Sequence, residues 1–352
     1  MPSVVISKNI TKELAQFISE NQYDKLFVLA DTHTYRLCFP VIQSLPAIEQ
    51  ATPIVIEAGD THKNLEQLAV VWAALSNNGA SRNSLLINLG GGMITDLGGF
   101  AGATFKRGLH TLNIPTTLMA SVDAAVGGKT GINFNGLKNE IGSFYFPDCV
   151  LIDCVFLQSL DRDNVLSGYA EMIKHGLIDS EKVLNKLLAF DLETKALNTC
   201  VLNELVKESV AIKEHIVTED PKEKGIRKAL NLGHTIGHAF ESLSFAKRHP
   251  ILHGHAVAAG LVAELYLSYK RCEFPLATLR HTVNFIKTHY PPFLYDCDDY
   301  DALYELMTHD KKNEGGIINF TLLAQLGDIR INQSIDKESI FESLDFYRET
   351  CL

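Results

Sequence analysis

The chain has 352 residues, of which 46% are hydrophobic and 21% are charged. This composition is ordinary for a globular protein, and the length suits two domains. The formal net charge of -10 disfavours general binding to nucleic acid or to an anionic membrane. An anionic small substrate would therefore need basic residues that are concentrated in one pocket.

The cysteines and the N-terminal segment indicate a cytoplasmic location. Seven cysteines, an odd number without any C-x-x-C pair, are typical of reduced thiols. The opening segment MPSVVISKNITKEL has no basic stretch followed by an apolar stretch, so we predict no secretory signal. No apolar run is long enough to span a bilayer.

The first half of the chain alternates short apolar runs with helical patterns, such as the helix predicted at residues 64–75. This alternation is typical of a parallel sheet with helices on both faces. The predicted strands are residues 25–30, 53–57, 85–89, 110–114 and 149–157.

After about residue 160 the sequence becomes a series of long segments with a period of 3.6 residues, which predicts a helical half. These segments are residues 163–177, 181–190, 197–217, 228–242, 255–271 and 277–288. A short strand is predicted at residues 317–323. We therefore divide the chain into an α/β domain, residues 1–158, and a helical domain, residues 159–352.

A glycine loop follows the third predicted strand. Gly90, Gly91 and Gly92 come directly after a buried run and lead into a helical pattern. Backbone N–H groups at such a turn can approach a pyrophosphate, and the helix N-terminus favours its negative charge. A tight turn that needs glycine is the alternative, and the loop lacks the G-x-G-x-x-G fingerprint. Its place after a buried strand favours nucleotide binding.

Three charged residues of the same half could contact a ribose. Asp31 ends the first predicted strand, where its carboxylate could bond ribose hydroxyls or cap the next helix. Asp60 and Lys63 follow Gly59 and have the same two interpretations.

Potential metal ligands are concentrated in the helical half. His234 and His238 are four residues apart and share a helical face, but the glutamate of H-E-x-x-H is missing. His253 and His255 follow, and Glu171 lies on another predicted helix. One carboxylate and two histidines leave open positions on an ion, as in catalytic sites. Structural or surface histidines are the alternative.

A set of basic residues could hold an anionic substrate. Lys129 and Lys138 have small or apolar neighbours, unlike most solvated surface lysines, and Lys174 shares a helical face with Glu171. Phosphate recognition requires clustered ammonium and guanidinium groups. The other members of the set are Arg107, Lys213, Arg227, Lys311 and Lys312.

The ordered motifs resemble the 3-dehydroquinate synthase family of the sugar phosphate cyclases. They are GGGMITDLGGF, FKRG, IPTTLMASVDAAVGGKTGIN, LKNEIGSFY, GYAEMIKHG, RKALNLGHTIGHAFE and LHGHAVAAG. The resemblance covers nearly the whole chain. It implies a Rossmann-like NAD-binding domain with a parallel sheet, an all-α metal-binding domain, and an active site in the cleft between them. The implied enzyme is a lyase that converts 3-deoxy-D-arabino-heptulosonate 7-phosphate into 3-dehydroquinate and phosphate, in the shikimate pathway.

The resemblance also implies individual roles. The metal, zinc or cobalt, would be bound by Glu171, His234 and His253. NAD would be bound by Asp31, Asp60, Lys63, Gly91, Gly92, Met93, Asp96, Thr116, Thr117, Lys129, Lys138, Phe156 and Ser159. The substrate would be bound by Arg107, Asp123, Lys129, Asn139, Lys174, Lys213, Arg227, Asn231, His238 and Lys311. Catalytic roles would fall to Lys129, Lys174, Lys213, Glu223, Arg227 and His238. Because Arg107 would reach the phosphate bound to a neighbouring subunit, a homodimer is implied.

Three features depart from the family pattern. His255 stands where a glutamate is usual, which changes the surroundings of His253 or adds a competing ligand. Residues 243–252 are slightly longer than usual, and residues 157–161 differ from L-x-T-L-P near Ser159. The competing interpretations are another sugar phosphate cyclase, such as a 2-deoxy-scyllo-inosose or valiolone synthase, a metal-dependent polyol dehydrogenase that releases NADH, and a non-catalytic NAD-binding protein.

Overall fold

The computed structural model describes residues 3–192, 199–308 and 318–351. They group into two compact units. The first contains residues 3–161 and the start of a long helix as far as Val210, and the second contains the other described residues. The division after residue 158, drawn from the sequence texture, stays a prediction.

The first unit is built on a parallel sheet, as predicted. Its strands are β1 Ser3–Ile6, β2 Leu26–Asp31, β3 Thr52–Ile56, β4 Leu85–Gly90, β5 His110–Pro115, β6 Lys129–Phe134, β7 Leu137–Phe144 and β8 Cys149–Ile152. Six of them form the sheet in the order β1-β8-β5-β4-β2-β3, and each neighbouring pair is parallel. The other two, β6 and β7, form an antiparallel hairpin.

Helices complete the first unit and bury the sheet. They are α1 Ile10–Glu20, α2 Thr32–Leu37, α3 Phe39–Ile42, α4 Pro46–Glu49, α5 Leu65–Asn77 and α6 Gly92–Thr104. Alternate residues of a strand point to opposite faces. Val28 of β2 accordingly packs in one apolar cluster, whereas Phe27 and Leu29 pack in the other. The near-continuous apolar strands are therefore explained by burial on both faces.

Helix α6 lies unusually close to the sheet because glycines face it. A Cβ atom on Gly98 would lie 2.0 Å from Oδ1 of Asn88, and one on Gly102 would lie 2.3 Å from Cγ2 of Thr111. Gly98, in the motif GGGMITDLGGF, and Gly102, two residues after the motif ends, thus serve helix packing.

The β6–β7 hairpin carries apolar side chains on its surface. Phe134, Leu137, Ile141 and Phe144 are all exposed. These strands were not predicted, because the stretch has a polar turn and its apolar residues do not form a continuous buried run.

The second unit is mainly helical. Its helices are α7 Arg162–Asp179, α8 Glu181–Leu188, the C-terminal part of α9 Thr199–Glu219, α10 His234–Ala246, α11 His253–Cys272, α12 Leu276–His289, α13 Tyr300–Thr308 and α14 Lys337–Cys351. The predicted late strand is present as β9 Asn319–Gln325. It pairs with β10 Asp328–Ser334 in a hairpin that the sequence analysis only half anticipated. Within the described ranges, no helix has the length and apolar character needed to cross a membrane.

The strand predicted at residues 149–157 is too long. It ends at Ile152, and Cys154–Ser159 form a 3-10 turn. The cause is Asp153, whose carboxylate accepts the N–H of Val155 and starts the turn.

The helix predicted at residues 228–242 is interrupted. Ile226–Asn231 form a 3-10 turn, and α10 begins only at His234. Between them Gly233 has a φ of 79°, a left-handed conformation that glycine adopts readily. The break places His234 at the first position of a helix.

The close packing of α6 is testable at Gly98. We expect Gly98→Ala to lower the free energy of unfolding by about 1–3 kcal/mol, because overpacking displaces Asn88 or the helix. Trp72, the single tryptophan, lies in the first unit. Its fluorescence during urea denaturation therefore reports the unfolding of that unit. Thr104→Ala, at the exposed C-terminal end of the same helix, should change the free energy of unfolding by less than about 0.5 kcal/mol. Equal effects of the two substitutions would contradict the packing argument.

Candidate metal centre and nucleotide-binding loop

The second unit brings the three predicted metal ligands together. Oε1 of Glu171, on α7, lies 3.4 Å from Nε2 of His234 and 3.6 Å from Nε2 of His253. The ring of His238 lies 5.4 Å from that of His234 and 5.6 Å from that of His253, centroid to centroid. The cluster is thus one carboxylate and three histidines from α7, α10 and α11.

The geometry of the cluster fits a tetrahedral divalent ion. Two ligand atoms that are each about 2.1 Å from an ion at a tetrahedral angle lie about 3.4 Å apart. Among the residues that the structure describes, the buried Oε1 of Glu171 has no hydrogen-bond partner. A buried carboxylate oxygen in that condition is costly unless a cation compensates for it. The donor set of one oxygen and imidazole nitrogens suits zinc or a similar ion.

Hydrogen bonds orient both histidine rings towards Glu171. Nδ1 of His253 lies 3.0 Å from Oε2 of Glu241, and Nδ1 of His234 lies 3.1 Å from the carbonyl oxygen of Leu232. A proton on each Nδ1 would leave Nε2 as the ligand atom, a common arrangement around metals. Sequence reasoning missed Glu241. The signal was its place seven residues after His234, on the same helical face.

The electrostatics of the cluster favour a positive charge. Burial alone would raise the pKa of Glu171, but the ammonium of Lys174, which donates to Oε2, and the ring of His234 hold that pKa well below its usual range. Burial alone would lower the pKa of His253, but its contacts with Glu171 and Glu241 raise it to about 10. A cation placed among these groups therefore meets an ionised carboxylate.

A glycine sets the approach of α11 to α7. A Cβ atom on Gly254 would lie 1.8 Å from the backbone oxygen of Ser167, and the N–H of Gly254 donates to Oγ of Ser167 at 3.1 Å. Because Ser167 lies about one helical turn before Glu171, this contact fixes the distance from Glu171 to His253.

His255 does not join the cluster. Its Nε2 lies 3.2 Å from the carbonyl oxygen of Asp163, and its ring meets the ring of Tyr290 edge-on at 5.6 Å. The neighbour of His253 is Glu241 instead. The alternative that His255 supplies a competing ligand thus has no support in the geometry.

Other predicted residues of the second unit lie on α9 or on the connection from α9 to α10. Lys213 and Arg227 are buried, and Nη1 of Arg227 donates to the carbonyl oxygen of Pro221 at 2.7 Å. Nδ2 of Asn231 donates to Oε1 of Glu223 at 3.1 Å, so these two predicted residues are paired. Lys311 lies outside the described residues.

In the first unit, the glycine loop lies at the carboxyl end of the sheet, beside the end of β5. Gly91 is the N-cap of α6 and has no side chain with which to cap this helix. A Cβ atom on Gly91 would lie 3.0 Å from Cγ2 of Thr117, and the N–H of Thr116 donates to the oxygen of Gly90. The loop therefore leads into a helix N-terminus without an intervening side chain, and a pyrophosphate could bind at such a position.

Four predicted NAD-binding residues form two ion pairs. Nζ of the buried Lys63 lies 2.6 Å from Oδ2 of Asp96, and Nζ of Lys138 lies 3.3 Å from Oδ2 of Asp60. Burial raises the pKa of Asp96, although Lys63 opposes the shift. The amide of Asn133 donates to the backbone oxygen of Asp60 and joins the hairpin to this group.

Asp31 is a helix cap. Its Oδ1 accepts the N–H groups of His33 and Thr34, both at 2.8 Å, which is one of the two interpretations left open by the sequence. The ring of Phe156 is buried in the apolar core, so only its backbone could contact a nucleotide. Ser159 is exposed, and its hydroxyl donates to the carbonyl oxygen of Phe156.

The remaining predicted residues of the first unit lie at irregular positions. Met93 packs beside an apolar cluster, and Asp123 is in a π-helical turn, Ala120–Ala124, a feature often found at functional sites. Arg107 is exposed and has a φ of 66°. The structure places Lys129 at the start of the hairpin and Asn139 on its second strand, both exposed.

Comparison with solved structures defines the class of the fold. A 2-epi-5-epi-valiolone synthase from Streptomyces hygroscopicus subsp. jinggangensis, solved with NAD+ and Zn2+, matches with a TM-score of 0.88 and 23% identity over 99% of this chain and 97% of that one. A 2-deoxy-scyllo-inosose synthase, solved with carbaglucose-6-phosphate, NAD+ and Co2+, matches with a TM-score of 0.80 and 20% identity over 99% and 96%. The chain therefore has the fold of the sugar phosphate cyclases.

The sequence comparisons identify the particular family. The family model for the 3-dehydroquinate synthase N-terminal domain matches residues 53–167, and the C-terminal one matches residues 168–313. A 3-dehydroquinate synthase from Parabacteroides distasonis is 68% identical over 99% of this chain and 98% of its own. The chain belongs to the 3-dehydroquinate synthase family.

The role of Glu241 is testable through zinc affinity. We expect Glu241→Gln to weaken zinc binding about 10- to 100-fold, because the amide no longer orients and polarises His253 as a carboxylate does. Competition with a chromophoric chelator measures the affinity. Glu219→Gln, on the exposed end of α9, is the control and should bind zinc as the unsubstituted protein does. Equal affinity of all three proteins would contradict the assignment.

Proposed function

We propose that the protein is an NAD- and divalent-metal-dependent 3-dehydroquinate synthase. It would convert 3-deoxy-D-arabino-heptulosonate 7-phosphate into 3-dehydroquinate and phosphate, as a lyase of the shikimate pathway. The observation that carries the proposal is the approach of Glu171 to His234 and His253, at distances expected for shared ligands of one ion. Membership of the 3-dehydroquinate synthase family favours this reaction over other reactions that use NAD and a metal ion.

Two bound groups are part of the proposal. Glu171, His234 and His253 would hold Zn2+ or Co2+, and the residues around the glycine loop, Lys63 and Asp96 would hold NAD. A bound ion would lower the pKa of a substrate hydroxyl, and bound NAD would accept a hydride and later return it. Because oxidation and re-reduction cancel, no NADH should accumulate.

Basic residues of this acidic chain would bind the phosphate and carboxylate of the substrate. Lys213 and Arg227 are both buried, and a buried cation is most stable next to an anion. The guanidinium of Arg227 can bind an anion through two parallel hydrogen bonds. Lys129, Asn139 and Lys311 would complete the set. Holding both ends of the substrate in one geometry favours ring closure.

Three further residues would transfer protons or stabilise charge. His238 is half-buried beside the proposed ligands and could exchange a proton with the substrate. Glu223, held by Asn231, would take part in the same relay. Lys174 keeps Glu171 ionised through its ion pair. The departing phosphate can itself accept a proton, so a strong protein base is not required.

We also propose a cytoplasmic homodimer. The β6–β7 hairpin exposes four large apolar side chains, and such patches are typical of protein interfaces. Arg107 is an exposed cation that could reach a phosphate bound to a second copy. The seven cysteines are all free, which is consistent with a reducing compartment.

The reaction is tested by following its products together. Purified protein with the heptulosonate phosphate, catalytic NAD and Zn2+ should release phosphate and 3-dehydroquinate in equal amounts, as measured by NMR. Absorbance at the NADH wavelength should stay flat, and a chelator should stop turnover. A different carbocycle would indicate another sugar phosphate cyclase. Net NADH formation from a simple polyol would indicate a dehydrogenase. The absence of any turnover would indicate a non-catalytic binding protein.

The proposed role of Arg107 is tested by mixing two inactive variants. Arg107→Ala and Lys213→Ala should each lose most activity. If Arg107 serves the neighbouring subunit, a mixed dimer holds one intact site. An equal mixture that has exchanged subunits should then recover about a quarter of the unsubstituted activity, since half of the dimers are mixed. Failure to recover activity, although subunit exchange is verified by mass spectrometry, would place Arg107 in its own subunit's site.

A further inference from the structure

The start of α10 is capped by a residue from another helix. Glu264, on α11, is fully buried, and its Oε2 accepts the N–H of Gly233 at 2.6 Å while its Oε1 accepts the N–H of Ile236 at 2.9 Å. These are the N–H groups of the N-cap residue and of the third residue of the helix. In a capping box, two side chains of the helix itself serve these groups. Here one carboxylate serves both.

The helix cannot cap itself, because its N-cap residue is a glycine. Gly233 supplies no side chain, and a Cβ atom there would lie 2.7 Å from Cγ of Leu261. A Cβ atom on Gly260 would lie 2.1 Å from the oxygen of Gly233. Helix α11 therefore crosses the start of α10 at backbone contact, which lets Glu264 reach the free N–H groups.

The same helix start carries a metal ligand. His234 is the first residue of α10, between the two residues whose N–H groups Glu264 accepts. Its ring is further held by the contact of Nδ1 with Leu232. The position of Nε2 against Glu171 thus depends on the backbone that Glu264 holds.

Charge gives Glu264 a second effect. The N-terminus of a helix carries a partial positive charge, which would repel a cation bound to its first residue. A carboxylate bonded to two of the terminal N–H groups offsets that charge. Glu264 is therefore suited to both the geometry and the electrostatics of a cation next to His234.

We propose that Glu264 is a positioning residue of the metal centre, which sets the place of the His234 ring and neutralises the helix end beside the ion. The inference rests on the proposed metal site of Glu171, His234 and His253. It adds to that site a residue 30 positions after His234, whose two carboxylate oxygens accept backbone N–H groups at the start of α10.

The test is Glu264→Gln, which keeps the size of the side chain but presents an amide N–H₂ to one of the two N–H groups. We expect zinc affinity, measured by chelator competition, to fall about 10- to 100-fold. The visible absorption of the Co2+-loaded variant should shift, since His234 no longer holds its place. The amide protons of Gly233 and Ile236 should exchange faster even without metal. Glu264→Asp keeps the charge, but its side chain is too short to make both bonds. Its zinc affinity should lie between that of Glu264→Gln and that of the unsubstituted protein.

Control variants separate this role from plain destabilisation. Ser268→Ala removes a buried hydroxyl one turn further along α11, where it bonds the backbone oxygen of Glu264 and the N–H of Leu323. It should lower the melting temperature but leave zinc affinity and the cobalt spectrum unchanged. If Glu264→Gln is too unstable to purify, Glu264→Asp is compared with Ser268→Ala in its place.

A further control keeps the two proposals distinguishable. His234→Ala should abolish tight zinc binding. If it does, and both Glu264 variants bind zinc as the unsubstituted protein does, the role of Glu264 is wrong while the metal site stands. If His234→Ala binds zinc normally, the metal site itself is wrong.

Discussion

The buried carboxylate of Glu171 is the constraint on which the helical unit depends. It lies in the middle of α7, away from water, with one oxygen paired to Lys174 and the other directed at two histidines. A charge in such a place is expensive unless it is compensated. Three helices must therefore converge on it, and their approach is set where Gly254 and Gly260 leave backbone in contact with backbone.

Three carboxylates have different roles around the proposed metal centre. Glu171 faces both Nε2 atoms, Glu241 receives Nδ1 of His253, and Glu264 binds the backbone that carries His234. Only the first is suited to touch an ion. The other two act through a histidine ring or a helix end, so their effects should appear in affinity and geometry rather than in chemistry. Glu264 also offsets the partial positive charge of the helix N-terminus at His234.

The sequence predicted most of what depends on local pattern. Buried strands such as 85–89 were located within a residue, and so were the ends of several helices, because apolar period and glycine punctuation are local signals. The proposed metal ligands were predicted through the family motifs. Glu241 and Glu264 were not identified, since their partners are a ring and a backbone brought close only by helix packing. The hairpin was missed for a related reason: four of its large apolar residues are exposed, although Ile132 packs in the core.

The glycines of α6 have a consequence for ligand binding. Gly98 and Gly102 let the second half of α6 rest against Asn88 and Thr111 without an intervening side chain, which restricts movement of the helix against the sheet. The loop at Gly91 and Gly92 should then lose little conformational entropy when a dinucleotide arrives. Preorganisation of this kind strengthens binding without adding a single contact. In the proposed reaction NAD would have to stay bound between two opposite hydride transfers, and stronger binding would favour this.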